Sequence, residues 1–125
     1  DYDKALEKLR PLALEGHAAA QYNLGVMYEW GNGVPQDDVE AMKWYRLSAG
    51  QSHRDAQNNL GAMYSKGEGV AQNFVEALKW FVVSADNGSE GGRKNIDIVE
   101  KRMTSRQITQ AKKLAREWIK QHPKK

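Results

Sequence analysis

The sequence contains no cysteine, which excludes disulfide frameworks, thiolate zinc sites and thiol nucleophiles together. It also lacks any long hydrophobic run. Nothing approaches the roughly 18 uninterrupted apolar residues that a spanning helix needs, and 28% of the residues are charged in a chain whose mean hydropathy is −0.78. At 125 residues the length is that of one compact domain. An initiator methionine is missing as well, since the chain starts at Asp1 as a processed or trimmed product does. With the absence of cysteine this fits an exported, periplasmic or secreted protein, expected slightly ahead of a trimmed cytosolic one. Residues preceding Asp1 would be either a signal peptide or a further helix.

Charge is divided unevenly along the chain. Residues 1–89 hold 8 Lys/Arg against 12 Asp/Glu and residues 90–125 hold 11 against 4, splitting the net +3 into about −4 and +7. A basic end of this kind can mark a tail that meets nucleic acid or an anionic membrane surface, but the favoured reading is a solvated helix face with a lysine-rich end.

The strongest signal is a repeat. Residues 20–55 and 56–91 are identical at 18 of 36 positions without a gap, and the shared frame is A-Q-x-N-L-G-x-M-Y-x-x-G-x-G-V-x-Q-x-x-V-E-A-x-K-W-x-x-x-S-A. A fixed period of this length means stacked supersecondary units. Ala20, Leu24, Met27 and Tyr28 fall at i, i+4, i+7 and i+8, as do Ala56, Leu60, Met63 and Tyr64, which is one face of a first helix, helix A. Gly25 and Gly61 lie inside it at a cost of about 1 kcal/mol relative to alanine, so a neighbouring helix is expected to pass too close for a Cβ. Gly31-x-Gly33 and Gly67-x-Gly69 then end helix A and reverse the chain. Asp37 and Asn73, with Glu40 and Glu76 three residues on, predict capping boxes that open helix B. Its buried face is Ala41, Trp44, Ser48 and Ala49, repeated as Ala77, Trp80, Ser84 and Ala85.

The frame extends in both directions. Residues 1–15 align with helix B alone, with an apolar face of Ala5, Leu6, Leu9, Leu12 and Ala13, a kink expected at Pro11, and an uncovered apolar strip. Residues 91–102 align with a degenerate helix A. Thr104 with Gln107, flanked by Met103 and Ile108, predicts a capping box and hydrophobic staple for a closing helix over 104–121, whose apolar stripe is Ile108, Ala111, Leu114, Ala115, Trp118 and Ile119. Residues 122–125 read as a basic tail, with His122 exposed and Lys124 and Lys125 disordered.

This frame resembles the Sel-one-like repeat (SLR) family, an αα solenoid related to tetratricopeptide repeats. The resemblance implies an all-α, right-handed αα-superhelix of about seven helices, with residues 18–52 and 54–88 as full repeats. The segment Met103–Trp118 is similar to the terminal capping helix of bacterial members. The resemblance also implies an adaptor that holds proteins or peptides. A cysteine-rich bacterial branch has been linked to penicillin binding and hydrolysis, and the absence of cysteine separates this chain from that branch.

No residue set suggests catalysis, a cofactor or a metal. His17 and His53 stand 36 apart in equivalent turns, but stacked repeats lie about 10 Å apart, too far for one ion held at about 2.0–2.1 Å. Ser48 and Ser84 have no histidine at an equivalent contact position and read as small-residue packing. Gly31-x-Gly33 lacks the Gly-Lys-Ser/Thr of a phosphate loop.

What the repeats leave variable is a second face of helix A. It reads Tyr22, Val26, Glu29 and Trp30 in the first repeat, Asn58, Ala62, Ser65 and Lys66 in the second, and Lys94, Ile98, Lys101 and Arg102 in the degenerate third. In a tetratricopeptide-like array this face lines the concave groove. It grades from aromatic and acidic to basic, and Tyr, Trp and Arg are the types enriched at binding hot spots. These twelve residues are the expected partner-binding set for a protein or peptide, unless Tyr22 and Trp30 instead pack on the first helix.

Overall fold

The computed structural model describes residues 1–124. Seven helices follow one another: α1 (Tyr2–Leu14), α2 (Ala18–Trp30), α3 (Asp38–Ala49), α4 (Arg54–Lys66), α5 (Phe74–Asp86), α6 (Glu90–Glu100) and α7 (Ser105–Gln121). Among the described residues no strand forms and no helix is long and apolar enough to cross a membrane. Helices α1 to α6 each pack chiefly on their sequence neighbours, whereas α7 packs on α5. The result is an all-α solenoid of seven helices, the fold class the frame implied.

Local chemistry sets the helix ends. Gly31 and Gly67 sit in the left-handed region at φ 67° and 76°, and their N–H groups close helix A on the carbonyls of Met27 and Met63. Asp37 and Asn73 cap α3 and α5 by accepting from the amides of Glu40 and Glu76. The reciprocal half of those expected capping boxes does not form. The cap amides of Asp37 and Asn73 instead donate to the carbonyls of Tyr28 and Tyr64, both at 2.9 Å, so they need no glutamate. Glu40 and Glu76 turn to Lys43 and Lys79. The box at Thr104 and Gln107 is complete.

Quasi-equivalent hydrogen bonds stitch successive repeats. Buried Gln21 and Gln57 donate to the Ala13 and Ala49 carbonyls at 3.1 and 3.0 Å, and their own oxygens accept from Gln51 and Asn87. The predicted close approaches are also present. A Cβ on Gly25 would stand 2.7 Å from the Tyr45 ring, and one on Gly61 would stand 2.7 Å from Phe81. The hydroxyls of Ser48 and Ser84 donate to the carbonyls of Ala18 and Phe81, as buried hydroxyls must.

At the ends, α1 continues through Pro11 to Leu14. Leu6 and Leu9 are half-buried on the α2 core, while Tyr2, Leu12 and Leu14 are exposed. The tail corrects two expectations. His122 is half-buried, its ring stacked 3.8 Å from that of Trp118 with Nδ1 2.8 Å from the Trp118 carbonyl oxygen. Lys124 is held by Asp86. Lys125 lies outside the described residues.

The inter-repeat turn carries a strain the frame does not reveal. Gly16, Ser52 and Gly88 occupy equivalent positions, all with positive φ (98°, 68° and 94°). An L-residue there costs roughly 1–2 kcal/mol, so Ser52→Gly is expected to stabilise by about 1 kcal/mol, net of its greater unfolded-state freedom. Thermal melts should show a rise of roughly 3–4 °C. A fall would place the strain elsewhere.

Candidate interaction surface

The first repeat presents its variable face unequally. Trp30, at the C-terminus of α2, is 69% exposed. Tyr22, Val26 and Glu29 are half-buried, with Tyr45 of α3 beside Tyr22 and Glu29 and His53, at the start of α4, beside Tyr22. The Tyr22 ring stacks on His53 at 4.8 Å and lies 6.0 Å from Tyr45. Glu29 accepts the Tyr45 hydroxyl at 2.7 Å. Packing on the first helix is therefore not the fate of either aromatic: Tyr22 joins the first repeat to the second, and Trp30 is free.

Electrostatics follows from that packing. Burial, reinforced by the hydrogen bond to Glu29, holds the Tyr45 phenol well above the ordinary tyrosine range. Burial first and the carboxylate of Asp55 next push Tyr22 up, against a hydrogen bond to Asn59. Both stay protonated donors at neutral pH. His53 moves the other way, lowered by burial more than Asp55 raises it, with Arg54 adding to the fall. Its Nδ1 caps α4 by accepting from the Ala56 amide at 3.2 Å, a role that only the neutral ring can fill.

A pH dependence follows. The folded pKa of His53 is depressed below its unfolded value of about 6.5, so its contribution is full above that value and is lost as pH falls through the folded pKa. His53→Asn supplies a cap that does not titrate. In denaturant titrations the wild type is expected to lose stability relative to this variant as pH drops from neutral towards 5. A difference that stays constant with pH would contradict the cap assignment.

The second and third helix A segments meet more loosely. Asn58 accepts from the Asn95 amide at 2.9 Å. Ala62, Ser65 and Lys66 of α4 face Asn95, Ile98 and Val99 of α6 across Phe81, around a hollow of about 150 Å³. Four of the twelve expected residues thus line one cavity: Ala62, Ser65, Lys66 and Ile98, the last 61% exposed. Lys94 is exposed on the same α6 face. Because α6 ends at Glu100, Lys101 is its C-cap and Arg102 lies in the turn beyond, its guanidinium 4.8 Å over the Phe74 ring. Sequence reasoning missed Phe81, Asn95 and Val99. The usable signal was the frame itself, since Phe81 stands where Tyr45 does and Asn95 where Asn59 does.

Two other surfaces stand out. A larger hollow of about 400 Å³ lies on α1 alone, lined by Leu6, Glu7, Arg10, Pro11 and Leu14. On α7, Arg106, Lys113, Arg116 and Lys120 are exposed at spacings that put them on one side, whereas Lys112 pairs with Glu100 at 3.3 Å. Among the described residues no three His, Asp or Glu side chains converge as metal ligands.

Comparison with known proteins agrees with this geometry. The family described as Sel1 repeat matches residues 18–53 and again 54–89, more than half of the chain. No curated protein matches it. Among solved structures it is similar to c5321, a protective antigen of uropathogenic Escherichia coli strains displaying an SLR fold, at 37% identity and a TM-score of 0.93 over 96% of this chain. It spans only 26% of that antigen's chain. It is also similar to a Sel1 repeat protein from Oxalobacter formigenes, at 37% identity and a TM-score of 0.74, covering 78% of this chain and 73% of the other.

Proposed function

The chain belongs to the Sel1 repeat family, and on that premise we propose that it is a non-enzymatic adaptor that holds a protein or peptide along the helix-A face. Repeats of this kind generally serve as scaffolds for protein–protein interaction. The observation that supports the more specific reading is the exposure of Trp30 and Ile98 at helix-A positions the repeat frame leaves variable. Large apolar groups in solvent at positions not needed for stacking are surface available for recognition.

The competing reading assigns binding of nucleic acid or anionic membrane to the basic side of α7. Salt separates the two, because each phosphate neutralised on duplex DNA contributes a log–log slope of about −0.9. For a partner captured from cell extract, affinity is to be measured across a range of salt with the wild type and with Arg106, Lys113, Arg116 and Lys120 all changed to glutamine. The proposed function predicts a shallow slope and little change in the variant. A steep slope that the four glutamines flatten would move the function to α7.

A further inference from the structure

We propose that the hollow between α4 and α6 is a side-chain subsite that receives one aliphatic residue, of leucine or isoleucine size, from an extended segment carrying a carboxylate beside it. This rests on the helix-A reading above and adds the place and chemistry of one contact.

The internal repeat supplies the argument. The equivalent place one repeat earlier lies between α2 and α4, with Val26, Glu29 and Tyr45 where the hollow has Ala62, Ser65 and Phe81. There the space is filled: Val26 packs into the core and Glu29 closes over the Tyr45 hydroxyl at 2.7 Å. In the later repeat alanine replaces valine, serine replaces glutamate, and phenylalanine has no hydroxyl to hold a lid. The same backbone arrangement is left with about 150 Å³ open to solvent. Valine to alanine and the loss of the glutamate lid open the space, and Val99 in place of the bulkier Met63 adds to it, while Lys66 and Ile98 replace Trp30 and Ala62 at the rim.

Its lining states what it would take. Ala62, Phe81, Val99 and the exposed Ile98 are apolar walls. The Asn58–Asn95 contact uses one donor and one acceptor, leaving a donor on Asn58 and an acceptor on Asn95 for a main-chain amide. Lys66 stands on one wall, and Lys94 and Lys101 flank Ile98 at i−4 and i+3, the same side of α6. Against these three ammonium groups the nearby acid is Glu68, 4.0 Å from Lys66 and half-exposed, while Asp97 lies about a quarter-turn round the helix from Ile98. The charge complement is a carboxylate next to the inserted side chain.

The test uses a fluorescein-labelled heptapeptide, Ser-Gly-Asp-Leu-Asp-Gly-Ser, titrated by polarisation against the full chain, with Asp-Ala-Asp and Lys-Leu-Lys versions as comparators. The leucine peptide is expected to bind at least about tenfold more tightly than either comparator. Ala62→Val, Ser65→Glu and Phe81→Tyr together transplant the filled arrangement of the preceding repeat and should weaken binding at least about tenfold. Ile98→Ser, at an exposed rim position, should weaken it similarly even if the triple variant folds poorly. No binding of the leucine peptide, equal binding of all three peptides, or affinity unchanged in both variants would overturn the subsite. If affinity then depended on Trp30 alone, the helix-A reading would stand without it. If it depended on neither, both would fall.

Discussion

Gly61→Leu is expected to cost more than about 3 kcal/mol and to lower the melting temperature by roughly 10 °C or more. Even a single added Cβ would meet Phe81 Cδ1 and Cε1 at 2.7 Å and the Ala77 carbonyl oxygen at 3.1 Å, so the side chain cannot be placed without moving α5 away from α4. Phe81 is buried and cannot swing into solvent. Gly61→Ala is the more discriminating variant. Helix propensity alone would make it stabilising by about 1 kcal/mol, yet the contact with a buried ring and a backbone carbonyl predicts a net loss. Gly25→Ala should lose less, since its Cβ meets only side-chain atoms of Tyr45. Thermal denaturation of these variants checks the packing, and a rise in melting temperature for Gly61→Ala would contradict it.

Trp30→Ala is expected to weaken a bound partner about thirtyfold or more while leaving the helical circular dichroism unchanged. Truncating a hot-spot aromatic typically costs 2 kcal/mol or more, and each 1.4 kcal/mol is tenfold. Trp30 is the last residue of α2 and 69% exposed, so its removal opens no cavity. Tyr22→Ala would be a poorer probe, because the ring stacks on His53 and its loss would disturb the joint between repeats as well as any ligand. Reversing Lys94 and Lys101 to glutamate should slow association and change its salt dependence more than it changes dissociation, as expected of steering charges. Surface-plasmon kinetics on the captured partner reads both effects.

Much of the fold was legible because the repeat frame constrains itself twice. Gly25 and Gly61, out of place in a helix on propensity, announced the close approach of Tyr45 and Phe81. Gly31 and Gly67 announced the turns. The frame could not say which hydrogen bond a group would choose when two were within reach. Glu40 and Glu76 fit a capping box by spacing, but the amides they would have served are taken by carbonyls of Tyr28 and Tyr64, a contact between two helices that no local pattern contains. Ser52 likewise gives no sign that it must adopt a left-handed backbone until it is aligned with Gly16 and Gly88. The candidate surface was legible as a face and not as a site. Helical periodicity placed Tyr22, Val26, Glu29 and Trp30 together, but whether each is covered depends on residues of the following helices, Tyr45 on α3 and His53 at the start of α4. Where the face residues shrink to Ala62 and Ser65 and Phe81 stands in place of Tyr45, a hollow opens that period counting alone does not find.

Methyl and amide NMR of the 14.1 kDa chain with its partner bound tests the central claim most directly. If the helix-A face holds the partner, the methyl signals of Val26, Ala62 and Ile98 and the indole of Trp30 should shift and receive cross-saturation, while the amides of Arg106, Lys113, Arg116 and Lys120 stay in place. Shifts confined to α7, with Val26, Ala62, Ile98 and Trp30 silent, would contradict it.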